Sequence, residues 1–344
     1  MKLTKLIKVF SRYQLNILNT IDCENQIIIW RLIDGKPGHE NQSLGLVNSL
    51  RQKVNSKCFD IRVSNDLDAL FNLFTATWGL ASGLPLPDLI IGAGHATHLH
   101  ALAAKRAFGG KIIILMQPSL PVSWFDLCLI PQHDNYQGGG NYIEIKGVLN
   151  SIRPTGNQKT SKSLIMIGGP SKHFKWSDSG VIAQIYELVK QNPYIEYILT
   201  TSPRTPESFV AAVRRIKFQN LCIVPYQNTI KGWISAKLDE CSSAWITEDS
   251  VTMVYEGLTA QVAVGLLNLE ANKNSRVYRG VESLVYQKFV TRFDFIGVYK
   301  KSLLPVNGFS EADRCSDWLL QNWELQQYRE SKLIIFAPQA SSLA

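Results

Sequence analysis

The sequence predicts an α/β protein of two parallel-sheet domains facing a central cleft. Three observations predict it. From Gln26 onward, short apolar runs alternate with segments of helical periodicity. A polar stretch, Asn150–Ser161, interrupts this alternation with Pro154, Gly156 and several Lys, Ser and Thr residues, and the alternation then restarts. Finally, glycine- and hydroxyl-rich segments directly follow the apolar runs, at the strand ends where open parallel sheets bind ligands.

The chain has 344 residues, a net charge of +8, 45% hydrophobic and 19% charged residues. At about 100–200 residues per domain, that length suits two domains. The expected division is a basic extension over 1–25, a first domain over 26–150, a second over 151–310 and a terminal helix and tail over 311–344. The apolar content excludes a disordered chain. No run approaches the roughly 18 consecutive apolar residues of a membrane span. Six cysteines (Cys23, Cys58, Cys128, Cys222, Cys241 and Cys315) include no CxxC pair, so neither a zinc site nor a disulfide framework is expected, and a reducing compartment fits. Cys58, Cys128 and Cys222 lie in apolar runs and read as core residues. The positive charge favours an acidic partner without choosing one.

Residues 1–21 carry Lys2, Lys5, Lys8 and Arg12, with Leu3, Leu6, Ile7 and Phe10 at helical spacing. They read as a basic amphipathic helix on an anionic membrane surface, as a targeting segment or, more simply, as a frayed extension or a translation start placed too early. A signal peptide is disfavoured by the missing apolar core.

In the first domain, Ile27–Ile33 reads as a buried strand, followed by a Gly/Pro loop and a helix over about Glu40–Lys53. Further strands are expected at Cys58–Val63, Asp88–Ile91, Lys111–Met116, Asp126–Ile130 and Tyr142–Ile145, with a helix over about His95–Phe108. In the second domain, strands are expected at Ser163–Ile167, Glu196–Thr200, Leu221–Val224, Ser243–Thr247 and within Ala260–Leu267. Helices are expected at Ser179–Gln191, Pro206–Lys217, Ile230–Glu240, from near Asp249, and at Trp318–Glu330.

Six loops carry candidate chemistry. In Asp34–Gln42, Gly35 and Gly38 allow close backbone approach, and His39 titrates near neutral pH and suits a base. A tight turn with Asn41 capping is the structural alternative. Gly92–Thr97 begins like a dinucleotide fingerprint, but its third glycine is Thr97 and the next strand ends in Met116 and Gln117, not an acid. Nicotinamide is therefore not expected. His95 and His98 share a helix face while His100 points elsewhere, and no carboxylate completes a set, so no metal is expected. His95 is a polar-contact candidate. Pro131–Asp134 contains His133 beside Asp134. Gly168, Gly169, Ser171 and Lys172 suit a diphosphate but lack a Walker ending. Thr200–Thr205 offers Ser202 and Arg204 to a charged oxygen. Ile246–Met253 reads as a strand, then Glu248, Asp249 and Ser250 at a helix start suited to phosphate, with Glu256 two turns in, able to reach a sugar or ribose hydroxyl. Simple capping by Asp249 or Ser250 explains the same residues.

KPGHENQSLGL (36–46), PDLIIGAG (87–94), FDLCLIPQHD (125–134), IGGPSKHF (167–174), TSPRTP (201–206) and ITEDSVTMVYE (246–256) resemble the mitochondrial fission Elm (elongated mitochondria) family. Its bacterial members are often labelled nucleoside-diphosphate-sugar epimerases. The resemblance implies a GT-B-like glycosyltransferase fold of two Rossmann-like domains, the first on the acceptor side and the second binding a nucleotide sugar. Gly35, Lys36, Gly38, Asn41, Gln42, Gly94 and Gln117 then fall on the acceptor side. Gly168, Gly169, Ser171, Ser202, Arg204, Glu248, Asp249, Ser250 and Glu256 fall on the donor side. The chain departs from the family at Ala260-Gln261-Val262, where a Gly-Lys-Pro turn is expected.

The leading expectation is a metal-independent glycosyltransferase that needs no cofactor. It would pass sugar from a nucleotide-diphosphate sugar to an envelope or lipid-linked acceptor, with His39 as base and His95 or His133 in reserve. It would be cytoplasmic, peripheral on the inner face of the membrane. Alternatives are a non-enzymatic fission-type adaptor on the same fold and an epimerase working without nicotinamide. Dispersed basic residues without an interleaved aromatic motif argue against nucleic acid.

Overall fold

A computed structural model describes residues 26–64, 66–273, 275–293, 303–323 and 325. The basic segment at 1–21 and the end of the tail lie outside them. The chain divides into two compact units. Among the described residues, one comprises those within 26–131, 135–151 and 311–325; the other comprises those within 132–134 and 152–310.

The first unit is built on β1 (Ile27–Ile33), α1 (Pro37–Lys53), β2 (Ser56–Arg62), α2 (Asp66–Thr75), β3 (Leu89–Ala93), α3 (His98–Phe108), β4 (Lys111–Leu115), β5 (Leu127–Pro131) and β6 (Tyr142–Ile145). All six strands are parallel, in the order β2-β1-β3-β4-β5-β6. Alternate residues of the central strands enter opposite cores, as the two-residue period of a strand requires. Ile28, Trp30, Leu32, Ile90 and Ile112 pack with Ala101 and Ala104 of α3 on one face. Ile27, Ile29, Leu89, Ile91 and Ile113 pack with Leu46 and Leu50 of α1 on the other.

The second unit contains β7 (Lys159–Met166), β8 (Phe174–Lys175), α4 (Asp178–Gln191), β9 (Glu196–Thr200), α5 (Glu207–Val213), β10 (Leu221–Val224), α6 (Trp233–Glu240), β11 (Cys241–Thr247), α7 (Val251–Thr259), β12 (Ala263–Leu267), β13 (Glu270–Ala271), α8 (Arg276–Tyr286) and β14 (Thr291–Arg292). Its main sheet is also parallel, in the order β10-β9-β7-β11-β12-β14, and β8 pairs with β13 antiparallel. The α/β class and its two parallel sheets are as the sequence predicts.

The last described helix, α9 (Glu311–Trp323), belongs to the first unit. Its Ala312, Cys315 and Leu319 join the core beneath α1. The Ser49 hydroxyl meets Asp313 and Ser316, and Lys53 Nζ lies 2.6 Å from Asp317 Oδ1. Glu311 Oε2 accepts the Lys146 amide N–H at 2.8 Å.

Several boundaries differ from expectation. Helix α1 starts at Pro37, because proline's fixed φ suits a first helical position that needs no N–H partner. Strand β7 begins at Lys159, inside the polar stretch, because its first residues are exposed and need no apolar side chains. Helix α9 starts seven residues before Trp318, at the buried Glu311. Helices α2 and α8 and the β8–β13 pair were not expected. Cys222 is exposed and Cys58 only partly buried, so of the three cysteines read as core only Cys128 is buried.

Candidate functional site

Each sheet has one place where its strand order reverses, and loops on either side of such a point part to leave a crevice. In the first unit this point lies between β1 and β3. The loop after β1 carries Asp34 and His39, and the loop after β3 carries Gly94 and His95.

Asp34 Oδ2 accepts the His39 Nδ1–H at 2.8 Å. The Asp34 side chain is 2% exposed and that of His39 23%. Asp34 Oδ1 also accepts the Lys36 amide N–H at 3.2 Å, and Lys36 Nζ stands 3.9 Å from Oδ2. A buried carboxylate on Nδ1 fixes the tautomer that leaves Nε2 as the proton acceptor. Gly94, at φ +86°, packs against the ring: a Cβ there would fall 2.2 Å from His39 Nδ1. That close approach, together with its backbone conformation, explains the glycine. Gly35 takes φ +80° in the turn, and no atom crowds Gly38.

The other acceptor-side candidates serve nearby contacts. Asn41 Oδ1 accepts the Ser151 hydroxyl at 2.6 Å, so it ties α1 to the loop after β6 rather than capping the helix. Gln42 Nε2 reaches Met116 Sδ at 3.6 Å, while its Oε1 is buried with no hydrogen-bond partner among the described residues. Gln117 is exposed at the end of β4. His95 Nδ1 lies 2.6 Å and His98 Nδ1 3.2 Å from Ser119 Oγ, whereas His100 faces Trp78, as the expected helix faces require. His133 belongs to the second unit, beside Asp134 and Gly280. Burial pushes its imidazole below the usual histidine range.

In the second unit the strand order reverses between β7 and β11. The loops after β7, β9 and β11 are knitted together there. The Thr247 hydroxyl accepts the Gly168 N–H at 2.8 Å, and Asp249 Oδ2 accepts the Gly169 N–H at 3.0 Å. Asp249 Oδ2 also lies 2.8 Å from Arg204 Nη2, and Arg204 Nη1 donates to the Gly169 carbonyl at 3.1 Å. Ser202 donates to the Gly168 carbonyl at 2.8 Å, and Thr205 bonds the same oxygen. The glycines make room for the protein itself: a Cβ on Gly168 would lie 2.3 Å from Asp249 Oδ2, and one on Gly169 would lie 2.2 Å from the Arg204 carbonyl. Arg204 keeps 44% of its side chain exposed.

Ser250 precedes α7 without a side-chain capping bond, so the first-turn N–H groups of that helix have no side-chain cap, contrary to the capping alternative. Asp249 does not cap it either; its Oδ1 is buried without a hydrogen-bond partner among the described residues. Glu248 is held internally: Oε2 accepts the Leu269 N–H at 2.9 Å and Oε1 the Arg292 Nε–H at 2.8 Å. Desolvation still raises its carboxyl above the usual range. Burial pushes Glu256 up to about 7. Ser171 Oγ accepts the His173 and Phe174 N–H groups, both at 3.2 Å, and shapes the loop after β7.

Sequence reasoning passed over Asp34, although its place between a strand and a histidine five residues on was the available signal. It also missed Thr247, Thr205 and Arg292. Nothing local marks these three, because their partners come from other strands.

Two six-stranded parallel sheets with their polar loops at the reversal points define a GT-B-like protein, of a fold used by nucleotide-sugar enzymes. The UDP-N-acetylglucosamine 2-epimerase of Neisseria meningitidis, solved with UDP-GlcNAc, has this fold with TM-score 0.50 and 10% identity, over 87% of this chain and 100% of that one. A Listeria monocytogenes protein described as a UDP-N-acetylglucosamine 2-epimerase matches with TM-score 0.52 and 11% identity, over 88% of this chain and 90% of that one. The chain belongs to the mitochondrial fission ELM1 family, whose model matches residues 37–323. A relative from Rickettsia prowazekii (strain Madrid E), the uncharacterized protein RP120, is 23% identical over 326 residues, 77% of this chain and 90% of its own length.

Proposed function

We propose that the protein is a glycosyltransferase that moves a sugar from a nucleotide-diphosphate sugar to a hydroxyl of an envelope or lipid-linked acceptor. The observation that carries this reading is the Asp34–His39 pair at the reversal point of the first sheet. In the reaction, His39 Nε2 takes the proton of the acceptor hydroxyl. The acceptor oxygen bonds to the anomeric carbon, the bond from that carbon to the phosphate oxygen breaks, and the nucleoside diphosphate leaves with the electron pair. Asp34 holds the imidazole in the accepting tautomer and stabilises the imidazolium that forms. The second unit supplies the donor site: the uncapped start of α7, Ser250 and the exposed part of Arg204 suit a diphosphate. Gly168, Gly169, Ser202 and Asp249 shape that site from behind. Glu248 fixes the β11–α7 junction, and Glu256 is the candidate for a sugar or ribose hydroxyl. The basic segment at 1–21 would keep the enzyme on an anionic membrane surface near lipid-linked acceptors.

The test is a thermal-shift panel of nucleotide sugars followed by transfer assays. A donor at about 100 times its dissociation constant should stabilise the protein by roughly 2.7 kcal/mol. His39→Ala should retain that shift and lose transfer, and Asp34→Asn should lower kcat more than it changes KM. Epimerisation of UDP-N-acetylglucosamine without an acceptor would replace this reading with the epimerase. A folded protein that binds no nucleotide sugar would replace it with the adaptor.

A further inference from the structure

The loop after β7 makes two attachments in the second unit. Its beginning, Gly168–Gly169, is bonded to the β11–α7 junction. Its end is bonded to the segment that leads into α8: the His173 carbonyl accepts the Asn272 N–H at 2.9 Å, and Phe174–Lys175 pairs with Glu270–Ala271. One loop thus links the starts of two helices on the strand-end side of the sheet.

His173 Nδ1 lies 2.7 Å from Ser275 Oγ. Ser275 Oγ also accepts the Val277 N–H at 3.2 Å, so the contact fixes the imidazole to the start of α8. The same bond brings the chain neighbours of its two partners, Lys172 and Arg276, close enough to act on the ring. Burial, Lys172 and Arg276 together push His173 below the usual histidine range. Lys172 is exposed and has no ion pair among the described residues. Arg276 is 57% exposed and shares Asp134 at 3.3 Å. The adjacent Lys175 is matched by Glu270 at 3.1 Å, and Lys273 adds a further positive charge. Among the described residues, Asp134 is the acid ion-paired with Arg276.

We propose that Lys172, His173 and Arg276 form a subsite for the diphosphate of the nucleotide sugar, assembled because the loop after β7 is hydrogen-bonded to the start of α8. Two exposed cations beside an imidazole that the Ser275 contact holds in place match a group with two negative charges spread over several oxygens. This rests on the donor reading above and adds to the loop after β7 a residue from outside the loops after β7, β9 and β11, Arg276 at the start of α8.

The test follows the imidazole signals of the full chain by NMR across pH, without ligand, with inorganic pyrophosphate and with each donor of the nucleotide-sugar panel. His173→Gln identifies the resonance. A nearby anion favours the charged imidazole, so both ligand types should raise the His173 midpoint by about one pH unit. The Lys172→Ala/Arg276→Ala double variant, whose changes are at exposed side chains, should bind the donor at least tenfold more weakly and lose the midpoint shift. A donor that binds by calorimetry with the His173 midpoint unmoved, or with equal affinity in the double variant, overturns the subsite and leaves the glycosyltransferase reading standing. Pyrophosphate moving His173 while no nucleotide sugar binds supports the subsite and overturns that reading.

Discussion

Glu256 and Gly94 show how single positions respond to their surroundings. The partly buried Glu256 carboxyl is raised by desolvation to about 7 from 4.5. The folded protein therefore binds this proton more tightly than the unfolded chain does. Stability falls as pH rises from 4.5 through 7, because the folded state must then ionise a desolvated group. Glu256→Gln should flatten this part of the profile and add roughly 2 kcal/mol at pH 8, read from urea unfolding at pH 5 and pH 8. Equal pH profiles in the two proteins would refute it. At Gly94, alanine meets both the strain of φ +86° and the His39 ring. Gly94→Ala should cost about 1–3 kcal/mol and, by displacing His39, abolish transfer in protein that still folds. Full activity in that variant would show that the imidazole has no role held in place from this side.

Among the elements, α9 is the one whose contribution comes from far along the chain. Leu319 is fully buried against the core that α1 covers, and Ser49, Lys53 and Glu311 fix the helix through polar contacts. Leu319→Ala should destabilise the first unit by about 2–5 kcal/mol, with the exposed Lys53–Asp317 pair worth far less. Denaturant unfolding of Leu319→Ala beside Asp317→Ala measures that ordering. Helix α8 escaped sequence reading for a related reason. Its signals, Ser275 as cap and Val281 and Leu284 as the buried stripe, are spread through a segment without a strong apolar run. Helix α1, by contrast, was legible from about Glu40 onward, with its first turn at Pro37 read as loop, and strands β1, β6, β9 and β10 matched their expected bounds.

For the molecule as a whole, the two units have separate cores, and the C-terminal helix belongs to the first. Deletion of residues 311–344 should therefore speed hydrogen exchange in α1 and β1 while the amides of β7 and β9 keep their protection. Equal loss in both units would mean that the helix supports more than the core it covers.

Alternating apolar runs and helical periods, interrupted once by a polar stretch, determined the class, the two parallel sheets and the loops that follow their strands. These are local properties, since burial on both faces of a parallel strand demands an apolar run wherever the strand lies in the chain. Family membership was legible in the same loops, in order. The order of the strands was not, and it is this order that puts Asp34, His39 and Gly94 at one reversal point and Gly168, Arg204 and Asp249 at the other. Nor could spacing show that Glu248 is neutralised by Arg292, or that His173 meets Ser275 from 102 positions away. Such partners come from separate strands and helices, and only tertiary packing brings them within hydrogen-bonding distance.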